Sequence, residues 1–471
     1  MKKIWFVIFI CLAFIPAFAQ KAPEKLDSVC QLLVKYFNEK DPQKIYELTG
    51  EDFQKQISIA KFQQICENNL FPLGDFEEIS YEKTSGGVTK YKATFTAGTF
   101  GFFASLDAKD KLVTFLFKEY IDETAKRTGP IATDNPKKST IDLKVDELVQ
   151  PYITLANTAG VSVGILKDGK TYFYNYGETT KGGKLASEHT LYEIGSITKT
   201  FTSTLLAFAV QEKKLKLSDP LSKYLPGSAP LEFEGTVITL EMLANHSSAL
   251  PRMPDNFDED TDLTNPYKNY SEQQLIDFYK TVKLERKPGS RYEYSNLAMA
   301  TLGYILEKIY KKPFEHLVLE KICRPLKMDE TREKLLAKDS INFARGHNEK
   351  GEATSAWDFQ VFAAAGALRS TASDLLKYAK ANWGEGPQSL VKAMQLTHKP
   401  SLDTGEVKVG LGWHLIQPEK DTVLLHTGGT GGYRSFLAIN KEKKFAVVIL
   451  ANSVVGADNV GRSLMAWLEN K

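Results

Sequence analysis

Apolar residues recur at helical spacing from Leu26 to Phe37, and again over Ile45 to Leu48 and Phe53 to Leu70. The period then changes to two. Tyr91, Ala93, Phe95 and Ala97 alternate with polar residues, and Val113, Phe115 and Phe117 do the same after a turn at Asp107 to Asp110, so antiparallel strands are expected. Helices followed by a curled sheet define a small α+β domain over residues 22–120. Residues 121–139 are polar and carry Pro130 and Pro136, the composition of a linker.

The pattern from residue 140 to 471 differs. A helix is expected near Ile141 to Ala156, then a hairpin with strands at Val161 to Leu166 and Thr171 to Tyr176 around the turn pair Asp168-Gly169. Strand-like runs return only at the far end, at Leu411 to Ile416, Thr422 to His426, Arg434 to Ile439 and Phe445 to Ala451, before a closing amphipathic helix. The middle, from Ser196 to Tyr378, reads as helices with long polar loops. One antiparallel sheet built from both ends, with a helical lobe inserted and a cleft where the two meet, is the simplest assembly.

Element order in 22–120 resembles the cone-shaped fold named after nuclear transport factor two, an accessory module of secreted bacterial proteins. That resemblance implies a small-molecule pocket or a dimer face. A spacer or folding aid fits the same pattern, and no catalytic set stands out there.

Composition narrows the function. Sixty Lys and Arg nearly balance 58 Asp and Glu, so net charge implies no polyanion-binding face and no nucleic-acid partner. Lys2 and Lys3, an apolar run from Ile4 to Ile15 and then Ala17-Phe18-Ala19 form a secretory signal over residues 1–19, with cleavage before Gln20. The run is shorter than the roughly 20 apolar residues that a bilayer span requires. A secreted or periplasmic location without a stable membrane span is expected. Cys11 leaves with the signal, and the three remaining cysteines do not make a disulfide scaffold. Cys30 and Cys66 lie on apolar helix stripes, and a bond between them or two buried thiols fit equally.

The segment Tyr192-Glu193-Ile194-Gly195-Ser196-Ile197-Thr198-Lys199 enters an apolar helix. Lys199, three residues beyond Ser196, faces the same way, so a hydroxyl and an amine become neighbours. A serine needs a base, and a buried lysine can lose enough proton affinity to act as one. Taken alone, the pair is better explained by Ser196 as a plain helix cap, since serine is a preferred cap. Two later segments change the balance. Tyr294-Ser295-Asn296 precedes a second apolar helix, and His426-Thr427-Gly428-Gly429 closes a strand.

Together these segments resemble the three motifs of the class C β-lactamase and D-alanyl-D-alanine carboxypeptidase group of serine hydrolases. The resemblance covers residues 140–471, and the run Thr239 to Pro251 agrees with it. It implies an α/β (α+β) fold of the β-lactamase/transpeptidase type, an antiparallel sheet flanked by helices with an inserted helical lobe. It implies Ser196 as nucleophile, Lys199 as its bonded partner and Tyr294 as proton shuttle, with a phenolate favoured by cations such as Lys199. Either Lys199 or Tyr294 is the base. Asn296 is implied to hold the substrate amide or to orient Lys199. Thr427 and Gly428 belong to the substrate strand, and the N–H groups of Ser196 and Gly429 form the oxyanion hole.

His426 stands where the pattern often has Lys, which moves the expectation from a dedicated β-lactamase toward a carboxypeptidase or esterase. Arg434 is a candidate replacement charge, with a solvated arginine as the plainer reading. His246 is expected to hold structure. No cofactor or metal is expected, because His347, His398 and His414 are scattered and no Cys/His cluster has ligand spacing. The substrate expected is a small molecule or a peptidoglycan-derived peptide. From another class, a penicillin-binding sensor or wall-binding protein acylated without turnover is the alternative.

Overall fold

The computed structural model describes residues 23–122, 124–225, 227–257, 262, 264–416 and 421–470. The expected signal at 1–19 therefore lies outside the described residues. The chain forms two compact units that divide between residues 122 and 123.

In the first unit, Glu24–Asn38 is the helix that the spacing predicts, with Leu26, Cys30, Leu33 and Phe37 buried along one stripe. The run Phe53 to Leu70 does not form one helix. It breaks at Ser58, whose side chain caps a new helix, Ile59–Ile65, and a wider turn, Cys66–Leu70, follows. The sheet has four antiparallel strands in sequential order, Phe76–Ser85, Val88–Phe95, Gly98–Leu106 and Leu112–Glu119. The first and third lie outside the expected alternation, because neither keeps a clean period of two in burial. Cys30 and Cys66 are unbonded thiols, and burial pushes both up to about 12.

The second unit is organised by an eight-stranded antiparallel sheet. Its strands run in the order Leu402–Asp403, Lys408–Val409, His414–Ile416, Val423–Gly429, Arg434–Asn440, Phe445–Ala451, Gly160–Lys167 and Lys170–Gly177. The hairpin near residue 170 thus pairs with the last strand of the chain, as expected of a sheet made from both ends. From Lys126 onward the polar stretch is bonded to this unit: Arg127 N–H to the Thr154 carbonyl, and Asn175 N–H and Nδ2 to Asp134.

Alternation along these strands feeds two cores. Val161, Val163, Ile165, Phe436, Ala438, Val447 and Ile449 face the helices Thr140–Ile153 and Asp458–Glu469. Leu166, Leu424, Leu437, Ile439, Val448 and Leu450 face the inserted helical lobe. At the centre of that lobe, Thr198–Gln211 is buried on every side from Thr198 to Ala209. Its threonines are satisfied inside the core: Thr202 donates to the Ala364 carbonyl, and Thr200 receives the Tyr378 hydroxyl. Helix Asn296–Tyr310 packs across it, and Gly303 is the contact point with the short helix Ala363–Gly366, where a Cβ would overlap that of Ala364.

Gly303 makes a test of packing against propensity. An exposed helical Gly→Ala change stabilises by about 1 kcal/mol. Overpacking here reverses that sign, so Gly303→Ala is expected to destabilise by about 1–3 kcal/mol in urea unfolding. A stabilised variant contradicts the packing.

Candidate active site

Ser196 lies in a tight turn, Gly195–Ile197, that runs directly into the helix Thr198–Gln211. It does not cap that helix, whose cap position is Ile197 without a side-chain bond. Close approach of the sheet fixes the turn. Gly195 has φ +48°, and a Cβ on it would stand 2.7 Å from the Gly429 nitrogen. Gly428 is pressed as closely on the Ile194 carbonyl, which also accepts the Ser435 hydroxyl at 2.8 Å. Glycines on both sides thus set the backbone of Gly429 beside that of Ser196.

The half-buried Ser196 hydroxyl has two polar neighbours. Lys199 Nζ lies 3.0 Å from Oγ, and the Tyr294 hydroxyl donates to Oγ at 2.7 Å. Lys199 Nζ also donates to the Ala365 carbonyl at 2.6 Å, and it stands 4.8 Å from the centroid of the Tyr294 ring. With no solvent exposure, Lys199 is driven well below the ordinary lysine range, first by burial and then by the Arg252 charge. Burial drives Tyr294 the other way, above the ordinary phenol range, against the opposing pull of its Ser196 bond and of Arg252. Both shifts favour the uncharged forms, a free amine and an intact phenol. Of the two candidate bases, burial thus works in favour of the Lys199 amine and against a Tyr294 phenolate.

Tyr294 is held from both sides. His246, in the left-handed region at φ +60°, accepts the Ser295 N–H on Nδ1 at 3.2 Å and the Glu293 N–H on its carbonyl at 2.7 Å. Its ring lies 4.5 Å from that of Tyr294, so it braces the loop as expected. Ser295 caps the following helix and donates to the Pro251 carbonyl at 2.7 Å. Asn296 does not reach Lys199. Its Nδ2 is directed to Tyr267 Oη at 3.3 Å and Met253 Sδ at 3.9 Å, and the Ala365 carbonyl orients the lysine instead.

His426 is buried on the strand face toward the helical lobe, and its Nδ1 donates to the Thr427 carbonyl at 2.7 Å. A carbonyl only accepts, so the proton sits on Nδ1 and Nε2 keeps a lone pair. Burial first, then His414 and Lys199, hold His426 well below the ordinary histidine range. Thr427 is half-buried beside it. Arg434 is neither a site cation nor a solvated arginine. Strand alternation turns it to the opposite face of the sheet, its guanidinium donates to the Thr430 and Tyr433 carbonyls at 3.1 and 2.9 Å, and Asp458 and Tyr152 are its electrostatic neighbours.

Three residues join the site without having been expected there. Ala365 contributes only a carbonyl, which no sequence pattern marks. His414 pairs across the sheet with Leu425, placing its ring 5.7 Å from that of His426, and its Nε2 meets the Tyr292 hydroxyl at 3.0 Å. Arg252 follows Pro251 in a run already noted for its pattern, and its guanidinium lies 5.1 Å from the Tyr294 ring centroid. Among the described residues no group of three or more His, Cys, Asp or Glu could hold a metal.

A serine between a buried amine and a phenol, with the end of a strand packed against its turn, is the arrangement of a serine hydrolase. Comparison with known proteins makes the class specific: the family model described as Beta-lactamase matches residues 145–469, and the chain belongs to that family. A Beta-lactamase of Pseudomonas fluorescens is 29% identical over 342 residues, covering 65% of this chain and 92% of that protein. The D-alanyl-D-alanine-carboxypeptidase/endopeptidase AmpH of Escherichia coli (strain K12) is 29% identical over 333 residues, covering 65% of this chain and 82% of that protein. Among solved structures, a class C beta-lactamase superposes with a TM-score of 0.62 at 27% identity, over 71% of this chain and 98% of its own. The fold is therefore of the β-lactamase/transpeptidase type.

A neutral buried His426 makes folding pH-dependent. Its folded-state proton affinity is depressed, so its contribution is intact above about pH 6.5 and is lost as pH falls toward the folded value, because only the unfolded chain takes up the proton. The stability of wild type relative to His426→Gln, read from urea unfolding, is expected to fall by up to about 1.4 kcal/mol per pH unit below 6.5. A difference that stays constant from pH 7 to 5 contradicts a neutral His426.

Proposed function

We propose that this chain is an exported hydrolase in which Ser196 is acylated by a carbonyl substrate and released by water. D-alanyl peptides of cell-wall type are the leading substrate class, with small acyl esters next. The observation that carries the reading is the Ser196 hydroxyl placed 3.0 Å from a neutralised Lys199 and 2.7 Å from the Tyr294 hydroxyl.

As Ser196 Oγ attacks the carbonyl carbon, its proton passes to the free amine of Lys199. The carbonyl oxygen takes up negative charge between the N–H groups of Ser196 and Gly429. Removing one such donor costs about a hundred- to a thousandfold in rate. Collapse of the tetrahedral adduct expels the leaving group, which receives a proton from Tyr294, and the lysine ammonium restores the phenol. Water then repeats the sequence on the acyl-enzyme, giving its proton to the same pair and releasing Ser196. Lys199 and Tyr294 act as one coupled unit, with the amine as the resting base.

Neutral His426 supports a carboxypeptidase or esterase over a dedicated β-lactamase, since a charged lysine would hold a substrate anion more strongly. Export rests on the sequence signal at 1–19, and no helix among the described residues is long and apolar enough to cross a membrane. We read the 23–122 unit as an accessory module.

Incubation with a chromogenic ester and with a penicillin, followed by intact-mass spectrometry, separates turnover from trapping. Ester turnover without a lasting adduct, lost in Ser196→Ala, is expected; a permanent adduct on Ser196 with no turnover favours the sensor reading instead. The pH profile tests the base. With a neutral lysine the kcat/KM of wild type rises with pH through the depressed Lys199 value and then stays level to pH 10, because burial keeps the phenol protonated. A tenfold rise per unit continuing to pH 10 identifies a phenolate base. Tyr294→Phe is expected to lower kcat by about 10²- to 10⁴-fold, the usual worth of a proton-transfer group.

A further inference from the structure

The site carries a cation that none of its three motifs supplies. His426 and Lys199 are buried, which disfavours the charged form of each, and Arg434 is turned to the far face of the sheet. Arg252 remains. It is exposed, and its guanidinium stands 5.1 Å from the centroid of the ring whose hydroxyl is bonded to Ser196. The guanidinium is thus about one phenol ring away from the nucleophile.

Its position is set by the backbone. The Arg252 carbonyl accepts the N–H groups of Asn296 and Leu297, each at 3.1 Å, so this residue is tied to the start of the helix that follows Tyr294. The preceding Pro251 carbonyl is tied to Ser295. The Arg252 backbone is therefore held close to Tyr294. Its charge is felt by Lys199, His246, Tyr267, Tyr292 and Tyr294, which surround the reacting atoms. Among the described residues no carboxylate pairs with it. An unpaired guanidinium on the rim of a catalytic site is a ready fork for a carboxylate, which it binds through two parallel N–H···O bonds.

We propose that Arg252 selects substrates bearing a carboxylate close to the scissile ester, amide or lactam bond, in place of a cation from the His426 strand. The inference rests on Ser196 being the nucleophile. It assigns the anion site to the loop after Pro251, where side-chain length and planarity matter as much as charge. A lysine at this position keeps the charge but loses the fork.

The test uses the full chain and two aryl esters that differ only in a benzoate carboxylate or its carboxamide on the leaving group. Wild type is expected to prefer the carboxylate ester. In Arg252→Ala the carboxylate-to-carboxamide ratio of kcat/KM falls by about 10- to 100-fold, mainly through KM, the range of a charge-assisted bond. Arg252→Lys restores part of it, and Arg252→Glu takes it below the Ala value. Melting temperature, compared across the variants, shows that each is folded. A ratio unchanged within about twofold in Arg252→Ala overturns the proposal, as does a Lys variant no better than Ala together with a shifted pH profile, which would make Arg252 a support for Tyr294. Hydrolysis of both esters that survives in Ser196→Ala overturns the nucleophile assignment as well, so the two failures are distinguishable.

Discussion

Everything at this site depends on an amine that has been taken out of water. Lys199 has no solvent exposure, and it sits on a helix that is buried on every side. An isolated ammonium in such a place costs several kcal/mol, and giving up the proton removes that cost. The Ala365 carbonyl and Ser196 Oγ occupy the amine. The carbonyl comes from the short helix that meets Gly303, so the crossing of two helices and the ionisation of one side chain are the same packing problem seen at two scales.

The second constraint is how closely the sheet approaches the nucleophile turn. Gly195 and Gly428 let two backbones touch where any side chain would separate them. That contact holds the half-buried Ser196 hydroxyl in a turn with the strand end packed against it. His426 on the same strand is buried beside His414 and within the electrostatic reach of Lys199, which disfavours its charged form. The electrostatics of the site then fall to a residue outside the strand, Arg252.

Much of this was legible in the chain itself. Ser196, Lys199 and Tyr294 stand together as the resemblance of the three motifs implied, and the sheet from both ends followed from strand signals separated by a helical middle. Contacts made by backbone carbonyls or across strands were not. Ala365 carries no side-chain signal, and His414 becomes a neighbour of His426 only once Leu425 is known to pair with it. Arg434 failed for a related reason. Its place next to the third motif suggested proximity, whereas the period of two puts it on the other face. The choice of base between Lys199 and Tyr294 stayed open in the sequence, because burial, which sequence shows poorly, decides which way each group shifts. In the first unit a serine cap at Ser58 cut a periodic run that spacing alone read as continuous.

The central claim is that Lys199 rests as a free amine. Carbon-13 labelling of lysine side chains and NMR titration of the folded chain, with Lys199→Met to assign the resonance, measures this directly. The account predicts one lysine, absent in the variant, that titrates well below the 10.5 of an ordinary lysine. If the Lys199 resonance instead titrates with the surface lysines, the amine is charged at neutral pH and the account of how Ser196 is activated is wrong.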